Sequence, residues 1–130
     1  MQAGLRDQAK ALARALAATE EYQRLVAAQR EVAQHEAARI MLRDLRALQR
    51  ELERKQLAGE PISESEIQQL QQRSQLVAFN PYVRELLEAE IAFAQLMLEV
   101  QAVIHHELGL DADEEAQAPG ANTGGAGAGT

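Results

Sequence analysis

The chain has 130 residues, enough for one domain, and 46% of them are hydrophobic, but only 3% are aromatic and none is Trp. Burial must come from Leu, Ala, Val, Ile and Met, which suit packing between helices, so the composition predicts an all-α fold. A net charge of -7 argues against a protein whose main task is neutralising phosphates, and zero cysteines exclude disulfides, thiolate metal sites, a thiol nucleophile and any cysteine-ligated iron–sulfur cluster held by this chain alone.

At the N-terminus Asp7, Lys10 and Arg14 interrupt any apolar signal-peptide core, and no run anywhere approaches the length of a membrane span. The expectation is a soluble, cytoplasmic protein without membrane insertion. Leu5, Ala9, Leu12 and Leu16 fall at helical spacing and predict a first amphipathic helix. Thr19, followed by Glu20 and Glu21, offers an N-cap oxygen and two acids for the positive end of a second helix. No Pro or Gly occurs between Glu20 and Ala58, so this second helix is expected to be continuous until Gly59 and Pro61 stop it. At 1.5 Å per residue it would reach roughly 58 Å.

Along that helix Ala38, Met41, Leu45, Leu48 and Leu52 make a seam of alternating three and four spacing, preceded by Tyr22, Leu25, Val26 and Val32. Arg39, Arg43, Arg46, Arg50 and Arg54 share one sector on the opposite side and are expected to line the outside. Ser63 and Glu66 have capping-box spacing ahead of Ile67, Leu70 and Val77, predicting a shorter third helix. Asn80 and Pro81 open a fourth, which runs to about Leu108 before Gly109.

The fourth helix carries two adjoining apolar seams. Val83, Leu86, Glu90, Phe93, Met97, Val100 and Ile104 form one; Leu87, Ile91, Ala94 and Leu98 form the other. A helix apolar over two stripes touches two neighbours, so one side is expected to meet the second helix and the other a second subunit. Glu90 stands within the first seam. Either its methylenes pack at the bundle edge while the carboxylate reaches water, or it is a buried specificity device needing an Arg or other donors. Beyond Asp111 an acidic stretch leads into APGANTGGAGAGT, expected to be disordered.

Little here resembles an active site. His105 and His106 point their rings about 100° apart on a helix, which is poor for chelation even with Glu107, and His35 is remote. Glu64 with Glu66 and Glu88 with Glu90 are carboxylate pairs of a kind that acidic helices produce by chance. No phosphate loop, serine elbow or zinc-protease motif is present. The sequence therefore predicts no catalytic, cofactor-binding or metal residue. The row Arg39, Arg43, Arg46 and Arg50 suits RNA or an acidic protein, but Glu36, Asp44, Glu51 and Glu53 stand close enough to neutralise much of it.

Three blocks in order, LARALAATEEYQRLVAAQ, LRALQRELERKQLAGEPISESEI and FNPYVRELLEAEIAFAQLMLEVQAVI, resemble the YlbF/YmcA family, including YheA-like proteins, over about residues 5 to 108. The first carries Thr19, Glu21 and Tyr22; the last has Ala89 and Glu90 ahead of Leu96, Met97, Val100 and Ile104, and Glu90 falls where the family commonly has an acid. The resemblance implies a self-associating helical regulator instead of an enzyme. Characterised relatives assemble with YmcA and YaaT partners to direct ribonuclease Y in mRNA processing, with consequences for competence, biofilm formation and sporulation. Iron–sulfur clusters in that complex are cysteine-ligated and do not carry over to this chain.

The expectation is thus an elongated, all-α, four-helix hairpin or bundle over residues 1–110 with one long central helix, a tail from 111 to 130, and self-association into a dimer or higher. Its contact residues would be Leu87, Glu90, Ile91, Phe93, Ala94, Met97 and Leu98, serving an adaptor of ribonuclease Y. The alternatives are a structural homo-oligomer of the YheA-like type with no nuclease partner, and direct RNA binding by the arginine row.

Overall fold

The computed structural model describes residues 1–111, so the expected tail lies outside the described residues. All elements in that range are helices: α1 (Ala3–Ala17), α2 (Glu20–Gln34), α3 (Glu36–Ala58), α4 (Glu64–Val77) and α5 (Pro81–Glu107). The chain clusters into two compact units, Met1–Phe93 and the part from Ala94 onward.

The expected stops and starts act through identifiable bonds. The Thr19 hydroxyl donates to the Leu16 carbonyl at 2.6 Å and accepts from the Tyr22 amide at 3.2 Å, closing α1 and opening α2 with one side chain. Gly59 ends α3 at φ 71°, where the Glu60 amide reaches the Lys55 carbonyl at 2.8 Å and the Gly59 amide reaches that of Gln56 at 3.3 Å. Ser63 and Glu66 form a reciprocal capping box at α4. Glu66 also takes the Lys55 ammonium at 2.8 Å, which ties the start of α4 to the end of α3. Asn80 accepts from the amides of Tyr82 and Val83 at 3.1 Å, and Pro81 fills the first position of α5, where no amide hydrogen is needed.

One expected helix is two. The rod expected from Glu20 to Ala58 breaks at His35, whose backbone is extended (φ -115°, ψ 109°), so the described helices number five and not four. Neither Gly nor Pro is there to cause the break. A tertiary ring contact and a local side-chain bond hold it instead. The His35 ring stacks on Tyr82 of α5 at 3.7 Å and 15°, and its Nδ1–H donates to the Glu31 carbonyl at 2.7 Å, a contact that requires the proton on Nδ1.

Within the first unit, α3 packs against both α2 and α4, and α1 against α2. The core joins Ala28 and Val32 of α2, Ala38 and Leu45 of α3, Val77 of α4, and Val83, Leu86 and Ala89 of α5. Small residues at 28, 38 and 89 let the helix backbones approach closely. Leu25, Met41, Leu42, Leu70 and Leu87 pack around them. The α1 helix buries nothing fully, and its Leu5 and Leu12 remain exposed.

Candidate functional site

The two seams of α5 meet different surroundings. In the first unit Val83 and Leu86 are buried and Phe93 is half-buried, its ring 5.8 Å from that of Tyr22. The outer seam starts half-buried at Leu87 and then turns to solvent, with Ile91 59% exposed. Among the residues from Ala94 on, Ala94 itself and Leu98 are exposed, Leu98 at 63%, while Met97 is half-buried. An isoleucine and a leucine left in water at these levels forgo about 1–2 kcal/mol each of available burial.

Glu90, in the first seam, is half-buried, and the Arg46 guanidinium meets its carboxylate at 2.6 Å. Both readings of this residue contribute: an arginine partner is present, and water still reaches the pair. The pair closes one side of an open groove between α3 and α5 lined by Leu45, Arg46, Arg50, Leu87 and Glu90.

This pairing engages one member of the arginine row. Arg46, half-buried, reaches towards α5, where Glu90 offers an acceptor. Arg43 holds Asp44 at 3.3 Å, and Arg54 binds Glu51 at 2.8 Å and Glu60 at 3.2 Å. Arg39 and Arg50 are exposed. A row so engaged by carboxylates presents less positive charge than its sequence suggests.

The carboxylate pairs are divided among structural tasks. Glu66 caps α4 and holds Lys55; that ammonium, together with the Ser63 amide, keeps its carboxyl below the usual glutamate range. Glu88 lies 3.5 Å from Arg24, while Glu85 takes the same guanidinium through both oxygens at 2.6 and 2.9 Å. The Arg24 hydrogen bonds lower the Glu85 carboxyl in turn. Neither this clamp between α2 and α5 nor the His35–Tyr82 stack is signalled by local spacing, because both join residues far apart in the chain. His106 binds Asp111 at 2.6 Å, and no group of His, Asp and Glu among the described residues could hold a metal ion. None of the described helices is long and apolar enough to cross a membrane.

What these features define is an all-helical protein whose distinctive surface is an apolar helix face beside an ion pair. Residues 5–109 match the family described as control of competence regulator ComK, YlbF/YmcA, and the chain belongs to that family. A UPF0342 protein of Caldicellulosiruptor bescii is 35% identical over 98 residues, covering 75% of this chain and 82% of the relative. The UPF0342 protein ABC1519 of Shouchella clausii is 34% identical over 102 residues, covering 78% and 86%. A solved structure titled Protein of Unknown Function (DUF964) from Bacillus stearothermophilus superposes with a TM-score of 0.76 at 29% identity, covering 89% of this chain and 97% of that one.

Proposed function

We propose that the chain is a non-catalytic regulatory adaptor that works through protein–protein contacts, in the cytoplasm, on ribonuclease Y-dependent mRNA processing. Competence is the process its family description names; biofilm formation and sporulation are the related programmes. The observation that carries the reading is the exposure of Ile91, a large apolar residue next to the half-buried Leu87 and the Arg46–Glu90 pair. Apolar surface beside a charged pair suits a docking patch, in which burial supplies affinity and the charges select the partner. Leu87, Glu90, Ile91 and Phe93 are the contact residues of the first unit, and Ala94, Met97 and Leu98 are those of the second. The partners are a second copy, YmcA- or YaaT-like proteins, and ribonuclease Y.

Capture from lysate of the native bacterium tests this. Tagged wild-type chain should recover ribonuclease Y or a YaaT-like protein, and Ile91→Asp should lose them while keeping its helix content. Recovery of only itself from repeated captures would contradict the adaptor and support the structural homo-oligomer.

A further inference from the structure

The break at His35 is locally unfavourable. Residues on either side are strong helix formers (Ala33, Gln34, Glu36, Ala37, Ala38), and α3 begins without a side-chain cap. In a continuous helix the amides of Glu36, Ala37 and Ala38 would donate to the carbonyls of Val32, Ala33 and Gln34. What holds the broken form is the docking of α2 on its own chain: the His35–Tyr82 stack, the Tyr22–Phe93 contact, the Arg24–Glu85 clamp and the burial of Ala28 and Val32. All of these except the His35 stack can be made equally well by the α2 of another copy.

We infer that two copies of this chain exchange their α1–α2 arms, with α2 and α3 fused through His35 into one helix and each α2 seated on the other copy's α5. The second copy is the occupant because the seat is already shaped for this segment: a guanidinium at position 24 against carboxylates at 85 and 88, and an aromatic at 22 against one at 93. Exchange keeps those contacts and regains the helical hydrogen bonds lost at the break. Against it stand the loss of the His35 stack, the return of the Glu31 carbonyl from the His35 ring to the helical ladder, and the entropy of association, so the swapped form is favoured as concentration rises. This inference is independent of which other protein meets the exposed side of α5.

Neighbouring substitutions should move the equilibrium in opposite directions. Glu36→Pro places proline at the first position of α3, where it is tolerated, and favours the extended backbone that His35 already has, while forbidding a continuous helix. His35→Ala removes the stack and favours the continuous helix. By light scattering on the full chain, His35→Ala should lower the dimer dissociation constant about tenfold and Glu36→Pro should raise it at least as much. A second experiment mixes an Arg24→Glu copy with a Glu85→Arg copy. Each alone sets like charges together, but an exchanged pair restores attraction at both seats, so heterodimer should exceed its statistical share severalfold by native mass spectrometry. Statistical mixing, or a Glu36→Pro chain that assembles like wild type, would overturn the inference.

Discussion

Arg46 and Glu90 retain 41% and 35% of their side-chain exposure, so water shares in stabilising both charges. Pairs of this kind contribute about 0–1 kcal/mol, and a double-mutant cycle with Arg46→Ala and Glu90→Gln should return a coupling energy in that range by urea denaturation. A value several times larger would mean that the pair behaves as a buried one. Glu90→Leu is then expected to leave the fold intact, tighten assembly and loosen partner choice, because it enlarges the apolar patch and removes its charge; unchanged partner choice in competition binding would remove its selective role. Glu66 supplies a pH test. Its native carboxyl is held below the ordinary value of 4.5, first by Lys55 and then by the Ser63 amide. A group depressed in the native state adds stability above its unfolded value and loses it as pH falls through the native one. The stability gap between wild type and Glu66→Gln should therefore be constant above about pH 5.5 and close on acidification below 4.5.

Helix ends carry the strongest local instructions. Ser63→Ala should cost about 1 kcal/mol by removing the capping oxygen of α4. Gly59→Ala should cost about 1–2 kcal/mol, since φ is 71° there and a Cβ is disfavoured even though open space surrounds it; urea denaturation checks both. These ends were legible in the sequence because the signals act within a few residues of one another: Thr19, Ser63 with Glu66, Asn80 with Pro81, and Gly59 all do in the structure what their types suggest. The break at His35 was not legible. It depends on Tyr82, which lies in a different helix, and on a His35 ring that bonds the Glu31 carbonyl, which neither Gly, Pro nor spacing announces. The same reason explains Arg46: periodicity placed it with four other arginines, but its orientation is decided by an acceptor on α5. The two seams of α5 could be read from spacing, whereas which of them meets the core depends on how α2 and α3 pack.

At the scale of the whole molecule the fully buried core is small, with one to three residues from each of α2, α3, α4 and α5 and none from α1, so its large members carry much of the stability. Leu86→Ala should cost about 2–5 kcal/mol, measured by denaturant titration, through lost burial and the cavity left in the core to which Val32, Leu45 and Val83 also belong. Against this core stands a considerable exposed apolar surface, including Leu5 on α1, Ile91 and Leu98 on α5, and Phe79 just before it. Such surface is suited to meeting other protein. Sedimentation of the full chain across the micromolar range is the decisive measurement. The expected result is a species heavier than one chain, shifted towards lighter mass by Ile91→Asp with helix content unchanged; a single-chain species at every concentration would contradict it.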